Sequence, residues 1–442
     1  MRNKSIENII EGFFVRNRER FGYIHTGMFI VFAALIFIPP FLPLPAEDAV
    51  IRNNFILMAR FLIWGLWFPL MLLSVVLFGR LWCGLLCPQG ALSEYAGKIG
   101  LNKPIPRWMR WGWMPVTSFI FITTLAQLIG ARDYPLAAME VLGGTMVLAA
   151  IVGFVYASGW RPWCRYLCPI GPLLGIFSRL GAVNFEKYNK AASACVCPTF
   201  INTSNKVASS NCIECFRCVN PDIQGSLRLT IRRPGLEIEE IKNREPNIWE
   251  AIFLFSATGL ALGAFHWQVN PFYIQYKQAL GALLLNLGFG DFIGKSGPWW
   301  IMVNYPEAGE VFNRLDFISI TSFMIASMVC TMAILLILTV LSAFILREKE
   351  PIIATVARLG YLYAPVALVS LMLGLGQILF QSLAGLGLSN VIAQIMQGVL
   401  FGGGAIWSAY LAVKLHEIWG LALIPNIAGI GFVALAWYKV LF

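Results

Sequence analysis

The sequence predicts an all-α polytopic membrane protein of about nine transmembrane helices, with one small domain outside the bilayer. Three observations support this prediction. Of the 442 residues, 58% are hydrophobic and only 13% are charged, and the mean hydropathy is +0.70, which excludes an ordinary soluble globular protein. Apolar runs of about 20 residues recur along the chain, each long enough to cross roughly 30 Å of hydrocarbon. Residues 161–248 interrupt these runs with a stretch of higher charge density.

Nine apolar segments are predicted to span the membrane, namely residues 25–44, 56–78, 112–130, 139–158, 249–267, 317–346, 358–380, 391–413 and 418–438. The count in the C-terminal half stays open, because 317–346 is long for one crossing and 278–290 is apolar enough to dip into the bilayer. The spans divide the chain into an N-terminal arm (1–24), two helical hairpins (25–160), a polar domain (161–248) and a C-terminal membrane domain (249–442) with an outer loop (268–316).

The distribution of Lys and Arg predicts that the N-terminus lies in the cytoplasm, because positive side chains accumulate in cytoplasmic loops near span ends. Such residues are frequent in the segments 1–24, 79–111 and 161–248, whereas at most one occurs in each of the loops 45–55, 131–138 and 381–390. The net charge of +10 is therefore an orientation signal, and no nucleic acid partner is expected. The charged segment 1–24 has no cleavage site and is interpreted as a retained cytoplasmic arm. The predicted location is a bacterial-type inner (cytoplasmic) membrane.

An internal repeat ends each of the two helical hairpins. The segments Gly79–Leu92 and Trp160–Leu173 lie 81 residues apart and share Trp, Cys, Leu, Cys, Pro, Gly and Leu at equivalent positions. Each copy follows a pair of predicted spans, so the repeat delivers two Cys-x-x-x-Cys-Pro motifs to the cytoplasmic surface. The motif cysteines are Cys83 and Cys87 in the first copy, and Cys164 and Cys168 in the second.

A third cysteine group lies in the polar domain. Cys212, Cys215 and Cys218 have the Cys-x2-Cys-x2-Cys spacing of a ferredoxin loop, and Cys195 and Cys197 precede them. A standard ferredoxin has a fourth Cys-Pro three residues later, but this chain has Val219-Asn-Pro there, so the fourth ligand must come from elsewhere. Cys197, which precedes Pro198, is the natural candidate. The pattern predicts a small ferredoxin-like iron-sulfur domain on the cytoplasmic side.

Two 4Fe-4S clusters need eight cysteine ligands, and this part of the chain has nine cysteines. One of Cys195 and Cys197 is therefore expected to be spare. The nine candidate ligands are Cys83, Cys87, Cys164, Cys168, Cys195, Cys197, Cys212, Cys215 and Cys218. Their partition stays open, because the last cysteine of a ferredoxin motif can serve the other cluster. Zinc is the alternative metal, since paired cysteines also form tetrahedral zinc sites. The tenth cysteine, Cys330, lies within a predicted span and is expected to be a packing residue.

Four arginines lie close in sequence to these cysteines: Arg80, Arg161, Arg165 and Arg217. A cluster with four thiolates carries a charge of roughly −2 in its oxidised form, which these arginines would offset. The ordinary excess of positive charge in cytoplasmic loops explains them equally well.

At these residues the chain resembles the polytopic membrane ferredoxins with twin Cys-x-x-x-Cys-Pro motifs, of the NapH, NosR and CcoG type. The resemblance covers roughly residues 25–225. It implies electron transfer between the quinone pool and partner redox proteins, with clusters bound by Cys83, Cys87, Cys164, Cys168, Cys212, Cys215 and Cys218 and more weakly by Cys197. The chain departs from the family in having one reduced ferredoxin loop where relatives commonly have two complete ones, and about five extra C-terminal spans.

Quinone is a further candidate cofactor. Glycines in the extra spans indicate either close helix packing or a quinone-sized cleft. Arg60 is the clearest ionisable residue within a span, which makes it a site candidate, although snorkelling or helix pairing also explains it. A b-type haem is not expected, because only His25 and His416 could pair to ligate one. The chain has no Cys-x-x-Cys-His motif for covalent haem.

These observations favour a membrane electron-transfer subunit of a quinol- or quinone-linked oxidoreductase complex. Its expected partners are quinone or quinol, other redox subunits and, as one option, an extracytoplasmic cytochrome or reductase. Two alternatives remain: a metal-reducing or cofactor-maturation membrane ferredoxin, and a zinc-binding structural or regulatory membrane protein. The sequence shows no phosphate-binding loop, flavin fingerprint or nucleophile triad, which argues against an ATP-driven pump or a hydrolase.

Overall fold

A computed structural model describes residues 4–45, 49–157, 160–187, 197–219, 227–347, 349–385, 389–416 and 420–441. Helices dominate it. They are α1 (Lys4–Asn17), α2 (Phe21–Phe37), α3 (Phe55–Arg60), α4 (Phe68–Phe78), α5 (Pro88–Lys98), α6 (Met114–Leu128), α7 (Pro135–Ala138), α8 (Gly144–Tyr156), α9 (Pro162–Tyr166), α10 (Gly171–Ser178), α11 (Leu236–Glu239), α12 (Ile248–Val269), α13 (Pro271–Asn286), α14 (Gly290–Ile293), α15 (Arg314–Leu346), α16 (Ile352–Gly360), α17 (Ala364–Leu375), α18 (Gln377–Gly385), α19 (Asn390–His416) and α20 (Leu423–Leu441).

The predicted all-α polytopic membrane class is confirmed. Within the described residues, eight helical segments are long and apolar enough to cross a membrane: Ile6–Phe41, Phe55–Phe78, Pro135–Tyr156, Ile248–Val269, Arg314–Leu346, Ile352–Leu375, Asn390–His416 and Leu423–Leu441. The predicted span 112–130 corresponds to α6, which has only 15 residues. The first predicted span lies inside a longer helical segment, because the charged N-terminal arm is itself helical.

Three stretches of wider π-helix interrupt the described helices: Phe61–Trp67 between α3 and α4, Trp82–Leu86 before α5, and Met139–Gly143 between α7 and α8. The α3 helix that leads into the first of them is capped by Asn54, whose side chain accepts hydrogen bonds from the amides of Ile56 and Leu57. Short π-helical insertions are rare and often mark functional sites.

The chain folds into two compact units that alternate along the sequence. The first unit comprises residues 1–34, 70–119 and 144–250. It contains the repeat and an antiparallel sheet of β1 (Val183–Lys187) and β2 (Leu227–Ile231), in which Phe185 lies opposite Leu229. Helices α5 and α8 pack at glycines: a Cβ at Gly153 would lie 2.0 Å from the Ser93 carbonyl oxygen. These two helices are therefore in backbone contact next to the first cysteine motif.

Helix α1 covers the free edge of β2 with carboxylates. Glu11 accepts a hydrogen bond from the Leu229 amide at 2.9 Å, and Glu7 accepts one from the Ile231 amide at 2.9 Å. Glu7 and Glu11 are four residues apart in the helix, a rise of about 6 Å. Leu229 and Ile231 are two residues apart in the strand, which is nearly the same distance, so each carboxylate meets one strand amide. The strand edge is satisfied without another strand.

The second unit comprises residues 35–69, 120–143 and 251–442. Helix α13 lies within the predicted outer loop 268–316 and packs on α15, where the Tyr273 hydroxyl lies 2.9 Å from Ser319 Oγ. The same loop contains a short hairpin of β3 (Asn304–Tyr305) and β4 (Glu310–Val311). The predicted packing role of Cys330 is wrong, because its side chain is exposed on α15.

Candidate metal centre

The two motifs of the repeat have the same backbone hydrogen bond at their second cysteine. The Cys87 amide donates to the Trp82 carbonyl at 2.9 Å, and the Cys168 amide donates to the Trp163 carbonyl at 2.8 Å. Each bond joins the second cysteine of the motif to the residue five positions before it. The proline that follows the cysteine ends this turn. Both motifs therefore present their two thiols from an equivalent, hydrogen-bonded turn.

These two turns bring four thiols together, and we call Cys83, Cys87, Cys164 and Cys168 the twin set. Burial, with a contribution from Cys83, raises the pKa of the Cys87 thiol to about 11. Burial and the nearby Cys87 and Cys83 raise the pKa of Cys168 to about 12. The pKa of Cys164 is likewise raised by burial and by the other three. The raised pKa values of Cys87, Cys164 and Cys168 mean that metal binding at this set would release protons.

A second group of four thiols, which we call the loop set, consists of Cys197, Cys212, Cys215 and Cys218. Burial raises the pKa of the Cys212 thiol to about 12, and the nearby Cys215 adds to the effect. The pKa of Cys218 is raised by burial and by the charges of Cys212, Cys215 and Cys197. Cys197 also lies 3.3 Å from the Thr199 hydroxyl. Cys195, the remaining predicted ligand, lies outside the described residues.

The loop set depends on an unusual backbone. Glu214 and Phe216 both have positive φ values, +52° and +59°, which non-glycine residues rarely adopt. Such conformations persist where the surrounding structure holds them, commonly at functional sites. Here they stand on either side of Cys215 in the chain.

The donors of both sets fit an iron-sulfur cluster. Each set offers four sulfur ligands, the number and type that a 4Fe-4S cluster takes. In the described part of the chain, no three His, Cys, Asp or Glu side chains are grouped tightly enough to hold one metal ion. Repeat glycines border the twin set: a Cβ at Gly90 would lie 3.1 Å from Cys164 Sγ.

Backbone contacts hold the first motif against the ferredoxin loop. A Cβ at Gly84, between Cys83 and Cys87, would lie 2.3 Å from the Ile213 carbonyl oxygen and 3.1 Å from the Cys215 amide nitrogen. The second copy of the repeat has Arg165 at the equivalent position. The first motif is therefore fitted to Cys212–Cys218 through a glycine that the second copy lacks, a difference that the sequence repeat alone did not predict.

We expect Gly84→Ala to weaken binding at both sets, because the new methyl group forces the loop backbone away at a cost of about 1–3 kcal/mol. The expected result is a lower melting temperature and less bound iron per chain, measured by differential scanning fluorimetry and a colorimetric iron assay. Gly112→Ala is the control, since a Cβ there meets nothing within 4 Å. Wild-type iron content in Gly84→Ala would contradict this contact.

Helix α1 covers the loop set on one side. Phe14 stacks on Phe216 with ring centroids 4.3 Å apart, and Phe216 packs in the same buried cluster as Cys212 and Cys218. The arm that the sequence predicts as a cytoplasmic segment is thus part of the wall around these thiols. A wall of aromatic rings excludes water, and solvent access is one property that tunes a metal site.

We expect Phe14→Ala to expose the loop set. The stacking contact is worth about 0.5–1.5 kcal/mol beyond the area that it buries. The variant should lose iron in air faster than the wild type, and the loss should stop at about half of the total iron because the twin set is unaffected. Phe13→Ala is the matched control, since the Phe13 side chain is 60% exposed. Equal rates of iron loss in the two variants would show that α1 does not protect the site.

One buried arginine borders both sets. Arg161 is 1% exposed, and its Nη1 donates to the Cys83 carbonyl at 2.8 Å. Its Nε donates to Glu94 Oε2 at 2.8 Å, and its charge acts on Cys164 of the twin set and Cys215 of the loop set. Glu94 is also paired with Arg217. Burial alone would raise the pKa of Glu94, but Arg161 and Arg217 hold it below its ordinary value, so the carboxylate stays ionised.

The other predicted basic neighbours lie in different places. Arg80 is buried next to Cys83 and donates from Nη1 to the Ser210 carbonyl at 2.8 Å. Burial lowers the pKa of Arg165, which also lies near Cys197. The sequence identified all four arginines but missed Glu94, whose position seven residues after Cys87 carries no signal of its own.

A second carboxyl that the sequence did not single out is buried within the loop. Glu214 has neither oxygen hydrogen-bonded, and a Cβ at Gly79 would lie 2.2 Å from its Oε1. Burial raises its pKa to about 8 despite the opposing charges of Lys206, Arg232 and Arg80. The carboxyl is therefore mostly protonated at pH 7, which lowers the cost of burying it.

The candidate haem ligands have local partners. His25 Nε2 lies 3.0 Å from the carbonyl oxygen of Gly84, in the first unit. His416 Nε2 lies 2.9 Å from Ser342 Oγ, in the second unit. Arg60, the predicted intramembrane site residue, forms an ion pair with Asp133.

Comparison with known families identifies the repeat. Residues 61–106 and 141–187 each match the 4Fe-4S binding domain family. The first match contains Cys83 and Cys87, and the second contains Cys164 and Cys168. The predicted resemblance to membrane iron-sulfur proteins is confirmed, and an iron-sulfur cofactor is supported.

Similar proteins match only part of the chain. MJ0749 of Methanocaldococcus jannaschii is 29% identical over 34% of this chain and 63% of its own length. YccM of Escherichia coli, whose name proposes a role in electron transport, is 27% identical over 36% of this chain and 54% of its own length. NirI of Paracoccus denitrificans is 25% identical over 36% of this chain and 26% of its own length. This chain therefore spans about half to two thirds of the first two relatives. No solved structure matches it.

Proposed function

We propose that this chain is a membrane electron-transfer subunit that carries two 4Fe-4S clusters, one at the twin set and one at the loop set. It would exchange electrons between the quinone pool and a partner redox complex at the cytoplasmic face. The observation that carries the proposal is the grouping of eight cysteines, each buried or half-buried, into two sets of four. One of these sets lies in the two segments that match the 4Fe-4S binding domain.

When bound, the clusters would supply one-electron redox chemistry. The protein holds the thiols in rigid turns, excludes water with buried aromatic side chains and places Arg80 and Arg161 beside them. These positive charges favour the more negative, reduced form of a nearby metal centre and so raise its reduction potential. Both sets border Arg161, which supports one electron-transfer unit rather than two independent sites.

The cytoplasmic orientation rests on the excess of Lys and Arg in the loops that carry the cysteines. The quinone and redox partners rest on the resemblance to membrane ferredoxins, with the electron-transport role that the name of YccM proposes as further support.

The test is purification of the full-length protein in mild detergent under anaerobic conditions, with iron, acid-labile sulfide, zinc and copurifying subunits quantified on one sample. We expect about eight iron and eight sulfide per chain. Visible absorbance should bleach on addition of a quinol or dithionite, and redox subunits should copurify. Stoichiometric zinc with little iron would overturn the proposal in favour of a structural role. Full iron content in a protein without redox partners that reduces metal ions would favour the maturation alternative.

A further inference from the structure

The second unit contains a cleft away from the cysteine repeat, at the ends of three membrane-spanning segments. It lies between the end of α2, the turn that joins α3 to the following π-helix, and the residues from Ala131 to Ala138 that lead into another π-helix. The cleft is open on one side, and the empty space between and in front of its walls is about 320 Å³. Its walls are mostly apolar, with Ile36, Ile56 and Trp64 among them.

Two arginines line this apolar cleft, and only one of them is paired. The Arg60 guanidinium forms an ion pair with Asp133, but its Nε is buried and has no hydrogen-bond partner. Arg132 makes no hydrogen bond or ion pair with any residue that the structure describes. The Tyr134 hydroxyl, which also faces this region, already donates to Glu310 at 2.6 Å. The cleft therefore carries two positive charges against one negative charge.

The charge and the walls together define the ligand that would fit. An arginine binds phosphate oxygens with its fork of N–H donors, and two arginines near each other are stabilised by an anion between them. Inorganic phosphate would satisfy the arginines but leave the apolar walls uncovered. A neutral quinone ring would cover the walls but leave the extra charge uncompensated. A membrane lipid with a net negative headgroup satisfies both, and its headgroup lies at the level where spanning helices end.

We propose that this cleft binds one anionic phospholipid, with the phosphate between Arg60 and Arg132 and an acyl chain along the apolar wall. The π-helical stretches next to Arg60 and Ala138 widen the helices at this point, as such insertions often do at binding sites. The site does not depend on the function proposed above, because none of its residues belongs to either cysteine set.

The experiment uses the full-length protein in a zwitterionic detergent. Binding is measured by native mass spectrometry and by the shift in melting temperature on titration with dioleoylphosphatidylglycerol, dioleoylphosphatidylcholine, inorganic phosphate or decylubiquinone. We expect saturable binding of one phosphatidylglycerol and much weaker binding of the other three. Arg132→Gln should weaken phosphatidylglycerol binding about tenfold or more, the effect expected on losing a charged hydrogen-bond donor. Arg132→Lys should retain most of it.

Arg52→Gln is the control, since Arg52 is exposed, lies in the preceding outer loop and does not line the cleft. Equal binding of the anionic and zwitterionic lipids, or unchanged phosphatidylglycerol binding by Arg132→Gln, would overturn the proposal. Displacement of the lipid by decylubiquinone with wild-type affinity in Arg132→Gln would assign the cleft to quinone instead. Iron content, measured on the same samples, tests the proposed function separately and should be equal in all variants.

Discussion

Cys168→Ser is expected to halve the iron content of the purified protein, from about eight to about four atoms per chain. Cys215→Ser should have an effect of the same size but on the other cluster, because Cys168 belongs to the twin set and Cys215 to the loop set. The two variants should therefore retain complementary electron paramagnetic resonance signals in the reduced state. Electron transfer from a quinol to an acceptor dye should be lost in both variants.

The same experiment decides whether the two cysteines of the first motif, Cys83 and Cys87, ligate one cluster or two. If Cys83 and Cys87 ligate one cluster, Cys83→Ser and Cys87→Ser should both lose the signal that Cys168→Ser loses. If they serve different clusters, as the ferredoxin motif allows, the two variants would lose different signals. Cys330→Ser is the matched control, since this cysteine is exposed and distant in sequence from both sets. Loss of iron in the control would mean that the assay reports unfolding.

Arg161→Gln should destabilise the protein and lower the reduction potentials of both clusters. The substitution leaves a buried carboxylate, Glu94, with Arg217 alone, and it removes the donor to the Cys83 carbonyl. Breaking a buried pair costs about 3–5 kcal/mol, and the low end applies here because Arg217 remains. Loss of a positive charge disfavours the more negative reduced form, so both potentials should fall. Redox titration followed by electron paramagnetic resonance measures this directly.

Arg161→Lys keeps the charge but loses the fork of donors, so it should restore the potentials more than the stability. Arg110→Gln, an exposed arginine of the same unit, is the control for a general charge effect. A change in the potential of only one cluster would place Arg161 beside that set alone. Unchanged potentials in a stable Arg161→Gln protein would remove any electrostatic role for this residue.

The helical membrane class could be predicted from sequence because hydropathy and helix length are local properties. The repeat was equally visible, since identical residues recur at one fixed offset. The grouping of the cysteines was not, because it depends on how distant turns pack. Pro198 made Cys197 a candidate ligand, and the structure places this thiol with the ferredoxin loop. Its ligation of a cluster remains a prediction, and Cys195 lies outside the described residues.

Residues that act through tertiary contacts escaped sequence reasoning. Glu94 is one of several carboxylates in the chain, and only its burial against Arg161 sets it apart. Gly84 is one of 40 glycines, and the close approach of the Ile213 carbonyl is what requires a glycine at this position. Cys330 was predicted to be a packing residue but is exposed. Its apolar neighbours in sequence do not decide which face of the helix it occupies.

The carboxylates of α1 have a consequence for biogenesis. Glu11 and Glu7 meet strand amides that lie 218 and 224 residues later in the chain. At a synthesis rate of roughly 5–20 residues per second, the helix waits about 10–45 s for its partner strand. During that interval the nascent polypeptide exposes an unpaired amphipathic segment, and several hydrophobic segments must be integrated before the strand exists. Closure of the cysteine-bearing domain therefore has to wait until about half of the chain has been synthesised, although its first element emerges from the ribosome at the start.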